Sequence, residues 1–175
     1  LFFHAPEVED DAFTDISDED TAVAALLVGK TSRAAELGIN LHLDPRSTLS
    51  AGGRFLPSGV LVTILGNLIE NATESLDRST WKQKEIAVSI REKPDSLLLC
   101  VEDTGPGIPE SEQARIFQRF YRSPSASEEE GVGIGLYLVA RLCSKMGIDV
   151  TAASEPGEGF VVTFAFSTNK FQYFE

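Results

Sequence analysis

Asn67 and Asn71 stand four residues apart in the stretch Leu61-Val62-Thr63-Ile64-Leu65-Gly66-Asn67-Leu68-Ile69-Glu70-Asn71-Ala72-Thr73-Glu74-Ser75-Leu76. Placed on a helix, they share one face with Thr63, Glu70 and Glu74, while Leu61, Ile64, Leu65, Leu68, Ile69, Ala72 and Leu76 fill the other. Asparagine favours helix poorly, and its amide oxygen can coordinate a hard cation or accept a hydrogen bond. Further along the chain, Asp103-Thr104-Gly105-Pro106-Gly107-Ile108 follows an apolar stretch. A carboxylate there can accept a hydrogen bond from an exocyclic amine, and the glycines allow backbone to approach a ligand closely. Gly131-Val132-Gly133-Ile134-Gly135-Leu136 then opens a helix, and free N–H groups at a helix start suit phosphate. It lacks the Gly-Lys-Ser/Thr ending of a Walker loop and the βαβ setting of a dinucleotide fingerprint. Gly157-Glu158-Gly159 reads only as a turn between strands.

The spacing of apolar residues supplies the elements that must position these groups. A helix is expected over Thr21–Leu37, with Ala22, Ala25, Leu26, Gly29 and Ala34 on related turns and Gly38 as its stop. A short half-buried strand, 39–43, carries His42 on its polar side. The asparagine helix runs from Pro57 to Leu76. Strands 86–90 and 97–101 form a hairpin, the second more fully buried and ending near Asp103. Further helices are expected over Glu110–Phe120 and Ile134–Met146, with a loop over 121–132 between them. Strands 148–153 and 160–166 complete the chain. This order predicts a two-layer α/β sandwich, with a mixed, mostly antiparallel sheet and helices on one face.

The 175 residues fit a single domain, expected over 21–168, with an acidic linker over 1–20 and a tail over 169–175. Residues 1–20 hold eight acids and no Lys or Arg, so they supply −8 of the net charge of −12. That distribution argues against a nucleic-acid partner. No apolar run is long enough to cross a bilayer, so this part of the protein is expected to be non-membrane. Cys100 and Cys143 read as buried free thiols in a reducing compartment.

Taken together, Asn67-Leu68-Ile69-Glu70-Asn71-Ala72, Asp103-Thr104-Gly105-Pro106-Gly107-Ile108, Ile116-Phe117-Gln118-Arg119-Phe120-Tyr121-Arg122 and Gly133-Ile134-Gly135-Leu136-Tyr137-Leu138-Val139 resemble an ATP-binding family. That family contains sensor histidine kinases, the ATPase component of DNA gyrase, mismatch-repair MutL and the large heat-shock chaperone. The phenylalanine-centred segment looks like the histidine kinase branch. Leu26 to Lys30, Glu36 to Ile39 and Leu65-Gly66-Asn67 look like its citrate and C4-dicarboxylate sensors.

The resemblance implies a Bergerat-type fold binding ATP and Mg²⁺. Asn71 would hold Mg²⁺, and Asn67 phosphate or metal-bound water. Asp103 would read the adenine amine, with Gly105, Gly107 and Ile108 around the base. Gly131, Gly133 and Gly135 would close on the phosphates, supported by Leu136. Tyr121 would line the nucleotide, and Arg119 or Arg122 would neutralise the γ-phosphoryl group. The implied partners are an upstream dimerisation domain with the phospho-acceptor histidine and a response regulator. The implied setting is the cytoplasmic side of a membrane-bound homodimeric parent.

The sequence departs from the family pattern in three places. Glu74 stands where many sensor kinases carry Lys or Arg, Phe160 stands where Thr usually follows the last Gly-x-Gly, and neither His4 nor His42 has the setting of an acceptor histidine. A gyrase- or MutL-like ATPase would need a carboxylate at position 67. A non-catalytic nucleotide-binding module is the other alternative.

Overall fold

The structure is a computed structural model that describes residues 21–49, 56–80, 82–122, 133–155 and 159–167, with Glu155 and residues 160–167 given by backbone alone. In chain order the elements are α1 (Thr21–Glu36), β1 (Asn40–Leu43), α2 (Ser58–Arg78), β2 (Glu85–Lys93), β3 (Ser96–Asp103), α3 (Glu110–Gln113), α4 (Gly135–Met146), β4 (Asp149–Glu155) and β5 (Gly159–Ser167). One five-stranded sheet has the order β1-β2-β3-β5-β4. The β1–β2 pair is parallel, and the other three pairs are antiparallel. The expected mixed, mostly antiparallel α/β sandwich is the observed one.

α2 is the spine of the helical layer. All seven apolar positions read from its sequence are buried, from Leu61 to Leu76. Each large aliphatic side chain removed from water in this way contributes about 1.5–3 kcal/mol. Thr73 is buried beside them, its hydroxyl donating to the Ile69 carbonyl at 2.7 Å, which satisfies the one polar group on that face. Facing α2 from the sheet are Ile86, Val88 and Ile90 of β2 and Leu97, Leu99 and Val101 of β3. α1 packs on one flank of α2 and α4 on the other. Gly38 and Gly147 end α1 and α4 at φ of +70° and +67°, a left-handed stop that a side chain would strain.

Several expectations are corrected. α1 buries Val23, Leu27 and Ala34, whereas Ala22 and Ala25 are exposed, because the larger side chains take the interior and rotate the helix. β3 alternates rather than being buried throughout: Leu98 is 39% exposed, and Cys100 is half-buried while Cys143 is fully buried. Neither cysteine is in a disulfide among the described residues. His42 is half-buried, and its Nδ1 is buried with no hydrogen-bond partner among the described residues. The helix expected over Glu110–Phe120 ends at Gln113. Beyond it the chain continues as overlapping turns, with bonds from Arg115 N to Glu112 O and from Gln118 N to Arg115 O. Burial of Ile116 holds this course, and Phe120 then takes a left-handed φ of +62°.

Candidate functional site

The polar face of α2 forms one wall. Thr63, Glu70 and Glu74 are exposed, and Asn67 and Asn71 are half-buried. The Asn67 Nδ2 group donates to the Thr63 carbonyl at 2.8 Å, which fixes the amide and leaves its oxygen towards α4. A Cβ built on Gly135, the first residue of α4, would come 3.1 Å from Asn67 Oδ1. The α4 N-terminus and the asparagine face therefore meet, and glycine is what permits the approach. Glu70, on the same helix, is paired with Lys30 of α1.

The second wall is the end of β3. Asp103 is 4% exposed, and its Oδ1 accepts from the Gly105 N–H at 2.8 Å, an Asx-type turn. A Cβ at Gly105 would meet Asp103 Oδ1 at 2.8 Å and the Ser75 hydroxyl at 3.3 Å. Ser75 thus lies beside Gly105 and Asp103 on the same helix that carries the asparagines. Sequence reading missed it, although Asn67, Asn71 and Ser75 follow an i, i+4, i+8 spacing that marks one helical stripe.

Gly107 sits at φ +72°, and the following Ile108 N–H donates to the Ser154 hydroxyl of β4 at 2.7 Å. The Ser154 hydroxyl itself donates to the Gly159 carbonyl at 2.7 Å. Gln113 Nε2 donates to both the Ile108 carbonyl, at 3.1 Å, and the Ser154 carbonyl, at 2.7 Å. Gly159 is more than a turn residue. At φ +101°, its backbone lies so close to β3 that a Cβ would fall 2.0 Å from the Asp103 carbonyl oxygen.

The phenylalanine-centred segment borders the start of α4. The Phe120 N–H donates to the Gly133 carbonyl at 3.0 Å, and a Cβ on Gly133 would sit 2.5 Å from the Tyr121 carbonyl oxygen. The Tyr121 hydroxyl donates to Glu112. Burial, followed by that bond to a carboxylate, pushes the phenol up to about 12. The Arg115 guanidinium lies 5.1 Å from the Tyr121 ring centre. Arg119 stacks on the ring of Phe120 at 4.5 Å, and Phe120 itself is 54% exposed. Arg122 is half-buried, and Leu136 and Ile108 pack against the core. Gly131 and the rest of the segment 123–132 lie outside the described residues.

Residues 58–170 match the family of histidine kinase-, DNA gyrase B-, and HSP90-like ATPases. The chain belongs to that family. Within it, the chain is an ATP-binding domain of the sensor histidine kinase type, as its motifs imply. It is 33% identical over 150 residues to a probable C4-dicarboxylate sensor kinase of Bacillus subtilis, covering 86% of this chain and 28% of that protein. It is 38% identical over 128 residues to the sensor protein CitS of Halalkalibacterium halodurans, covering 73% of this chain and 23% of CitS. The chain thus spans about a quarter of the length of these relatives. The solved structure of full-length ShkA in complex with AMPPNP is similar with a TM-score of 0.66 and 27% identity, covering 86% of this chain and 30% of that one. No described helix is long and apolar enough to cross a membrane.

The donor set of this ATPase-family domain can be weighed against the implied Mg²⁺. Among the described residues, no cluster of three or more His, Cys, Asp or Glu could cage a cation. Magnesium bound with nucleotide needs no cage, since it keeps waters and takes most other oxygens from phosphate. The amide oxygens of Asn67 and Asn71 suit that role.

Proposed function

We propose that this domain binds Mg-ATP between the asparagine face of α2, the Asp103 loop and the start of α4. In its parent protein it would donate the γ-phosphoryl group to a histidine on an upstream dimerisation domain, from which a response regulator would receive it. The observation that supports the reading is that α2 meets both other parts: Asn67 lies against Gly135 of α4, and Ser75 lies beside Gly105 and the buried Asp103.

Asp103 accepts the adenine amine, and Gly105, Gly107 and Ile108 give the flat base room. Asn71, with Asn67 beside it, would hold Mg²⁺, whose charge would offset that of the phosphates. The N–H groups at the start of α4, whose first residue Gly135 lies against Asn67, would bind the phosphates, with Gly131, Gly133 and Gly135 proposed to close on them and Leu136 packed against the core. Tyr121 borders the site through its contact with Gly133. Of the two arginines, the half-buried Arg122 is the better candidate for the γ-phosphoryl group, because it directly follows Tyr121, whose backbone lies against Gly133 just before α4, whereas Arg119 is exposed. An asparagine at position 67 in place of a carboxylate favours transfer to a protein acceptor over activation of water.

The parent is proposed to be a membrane-bound homodimer with this domain on the cytoplasmic side, in keeping with the names of its relatives as sensor kinases. The test is calorimetric titration with ATP and ADP, each with and without Mg²⁺, followed by phosphoryl transfer to the parent's upstream domain. Magnesium-sensitive micromolar binding and a labelled histidine are expected. A folded domain that binds neither nucleotide would overturn the reading.

A further inference from the structure

Two residues outside every motif hold the Asp103 loop in place. Ile108 ends the glycine-bearing turn that begins at Asp103, and both of its backbone polar groups are taken: its N–H by the Ser154 hydroxyl and its carbonyl by Gln113 Nε2. The same Gln113 amide also donates to the Ser154 carbonyl, and the Ser154 hydroxyl donates to the Gly159 carbonyl. Three of these bonds close a ring through Ile108, Gln113 of α3 and Ser154 of β4, and the fourth ties that ring to the start of β5. Gly159 in turn lies directly against the Asp103 carbonyl, so the ring reaches both ends of the turn. The start of this segment is held by the Gly105 N–H bond to Asp103 and by Thr104, which bonds Gln83 and Glu85, while its far end at Gly107 and Ile108 depends on the ring. Asp103 itself is held at the end of β3, paired with β2 and β5, so it is the course of the backbone after it, proposed to flank the base, that the ring decides.

We infer that Gln113 and Ser154 are positioning residues for base selectivity. They fix the backbone from Gly105 to Ile108, whose Gly105 N–H is bonded to Asp103 Oδ1, so that the base is held with its 6-position against that carboxylate. This inference rests on the proposed nucleotide site. Inosine triphosphate is the informative probe, because its 6-oxo group offers an acceptor where adenine offers a donor, and a carboxylate repels it. Discrimination between the two nucleotides therefore reads the placement of the base against Asp103, while contacts to the phosphates cancel in the ratio.

The decisive variant is Gln113→Glu. It keeps the shape of the side chain but replaces a donor by an acceptor that faces two carbonyl oxygens. Titration of wild type and variant with ATP and with inosine triphosphate is expected to show the ratio of affinities falling roughly tenfold, chiefly through weaker ATP binding. Ser154→Ala, which leaves the Ile108 N–H without its acceptor, is expected to act in the same direction, and Ser154→Thr to retain more of the selectivity. Should Gln113→Glu fail to fold, the Ser154 pair carries the same readout. Equal losses for both nucleotides, or an unchanged ratio in a folded variant, overturn the inference while leaving the nucleotide site intact. A wild-type domain that binds both nucleotides equally overturns the base-site assignment and this inference with it.

Discussion

The Oδ1 atom of Asn67 lies 3.1 Å from the point that a Cβ on Gly135 would occupy, so the middle of α2 and the first residue of α4 are in near contact across the site. A methyl group there must displace an amide already tethered to the Thr63 carbonyl. Gly135→Ala is expected to change the melting temperature little, since the helix preference of alanine over glycine, about 1 kcal/mol in a helix interior and less at this first position, is offset by the displaced amide. Nucleotide affinity should nevertheless fall. Thermal melts alongside titration separate the two effects, and unchanged affinity would remove Asn67 from the site.

The two ends of the proposed nucleotide respond to different substitutions. Asn71→Ala is expected to abolish the Mg²⁺-dependent part of ATP affinity while sparing what remains without metal. Asp103→Asn still accepts the Gly105 N–H, so the loop survives, but its amide is a weaker acceptor for the adenine amine. Its selectivity for ATP over other nucleotides should drop. Titrations with and without Mg²⁺ distinguish the two, and identical profiles would argue against the assignment.

Gly159→Ala tests the contact between β5 and the end of β3. A Cβ 2.0 Å from the Asp103 carbonyl cannot be absorbed by a side-chain shift, and φ at that residue is +101°. Stability should fall by about 2–4 kcal/mol in urea unfolding, placing the change among the severe ones. A loss below about 0.5 kcal/mol would mean that the hairpin adjusts freely.

Among the described residues, Asp44 is an identifiable source of acid sensitivity. Asp44, just after β1, accepts hydrogen bonds from Arg46 and from Arg91 of β2. The Arg46 side-chain bond is the largest influence. Burial opposes it, but the backbone bond and the two guanidinium charges prevail and hold the carboxyl down at about 2, against 3.8 when unperturbed. Because the folded value is the lower one, the stabilisation is complete above pH 4 and is lost as the pH falls from about 4 towards 2. With the Asp44 side chain 22% exposed, screening limits it to about 1 kcal/mol. Asp44→Asn should lower the melting temperature at pH 7 and flatten its decline in that acid window.

Leu65→Ala removes a side chain with no solvent exposure from the apolar face of α2. The expected loss in denaturant unfolding is about 2–5 kcal/mol, the range for a cavity in a packed core. A much smaller loss would mean that α1 and the sheet close over the gap.

How much of this could be read from the sequence depended on how far apart the cooperating residues lie. The two faces of α2 were readable because helical periodicity is a local property, and every apolar position from Leu61 to Leu76 fell inside. Glycine stops at Gly38 and Gly147 were readable for the same reason. The segment after Gln113 was not, because Ile116 and Phe117 continue a helical apolar pattern while the chain itself winds into turns to meet Gly133. Nor were Gln113 and Ser154, whose bond joins positions 41 residues apart. Gly159 looked like an ordinary hairpin turn until its contact with Asp103 was seen. Its importance comes from pairing between β3 and β5, which no local pattern reveals.

β3 is the middle strand of the sheet, and its place there bears on when recognition becomes possible during folding. Its partner on one side, β2, is joined through a tight turn, and that hairpin can form early. Its partner on the other side is β5, with Ser96 opposite Ser167 and Asp103 opposite Phe160, so the chain must close loops of more than fifty residues to make the pair. Asp103 gains its enclosed setting only after that closure. The α2 face and the hairpin can thus assemble in a nascent chain that does not yet discriminate among nucleotides, and selectivity arrives with the last and most distant pairing.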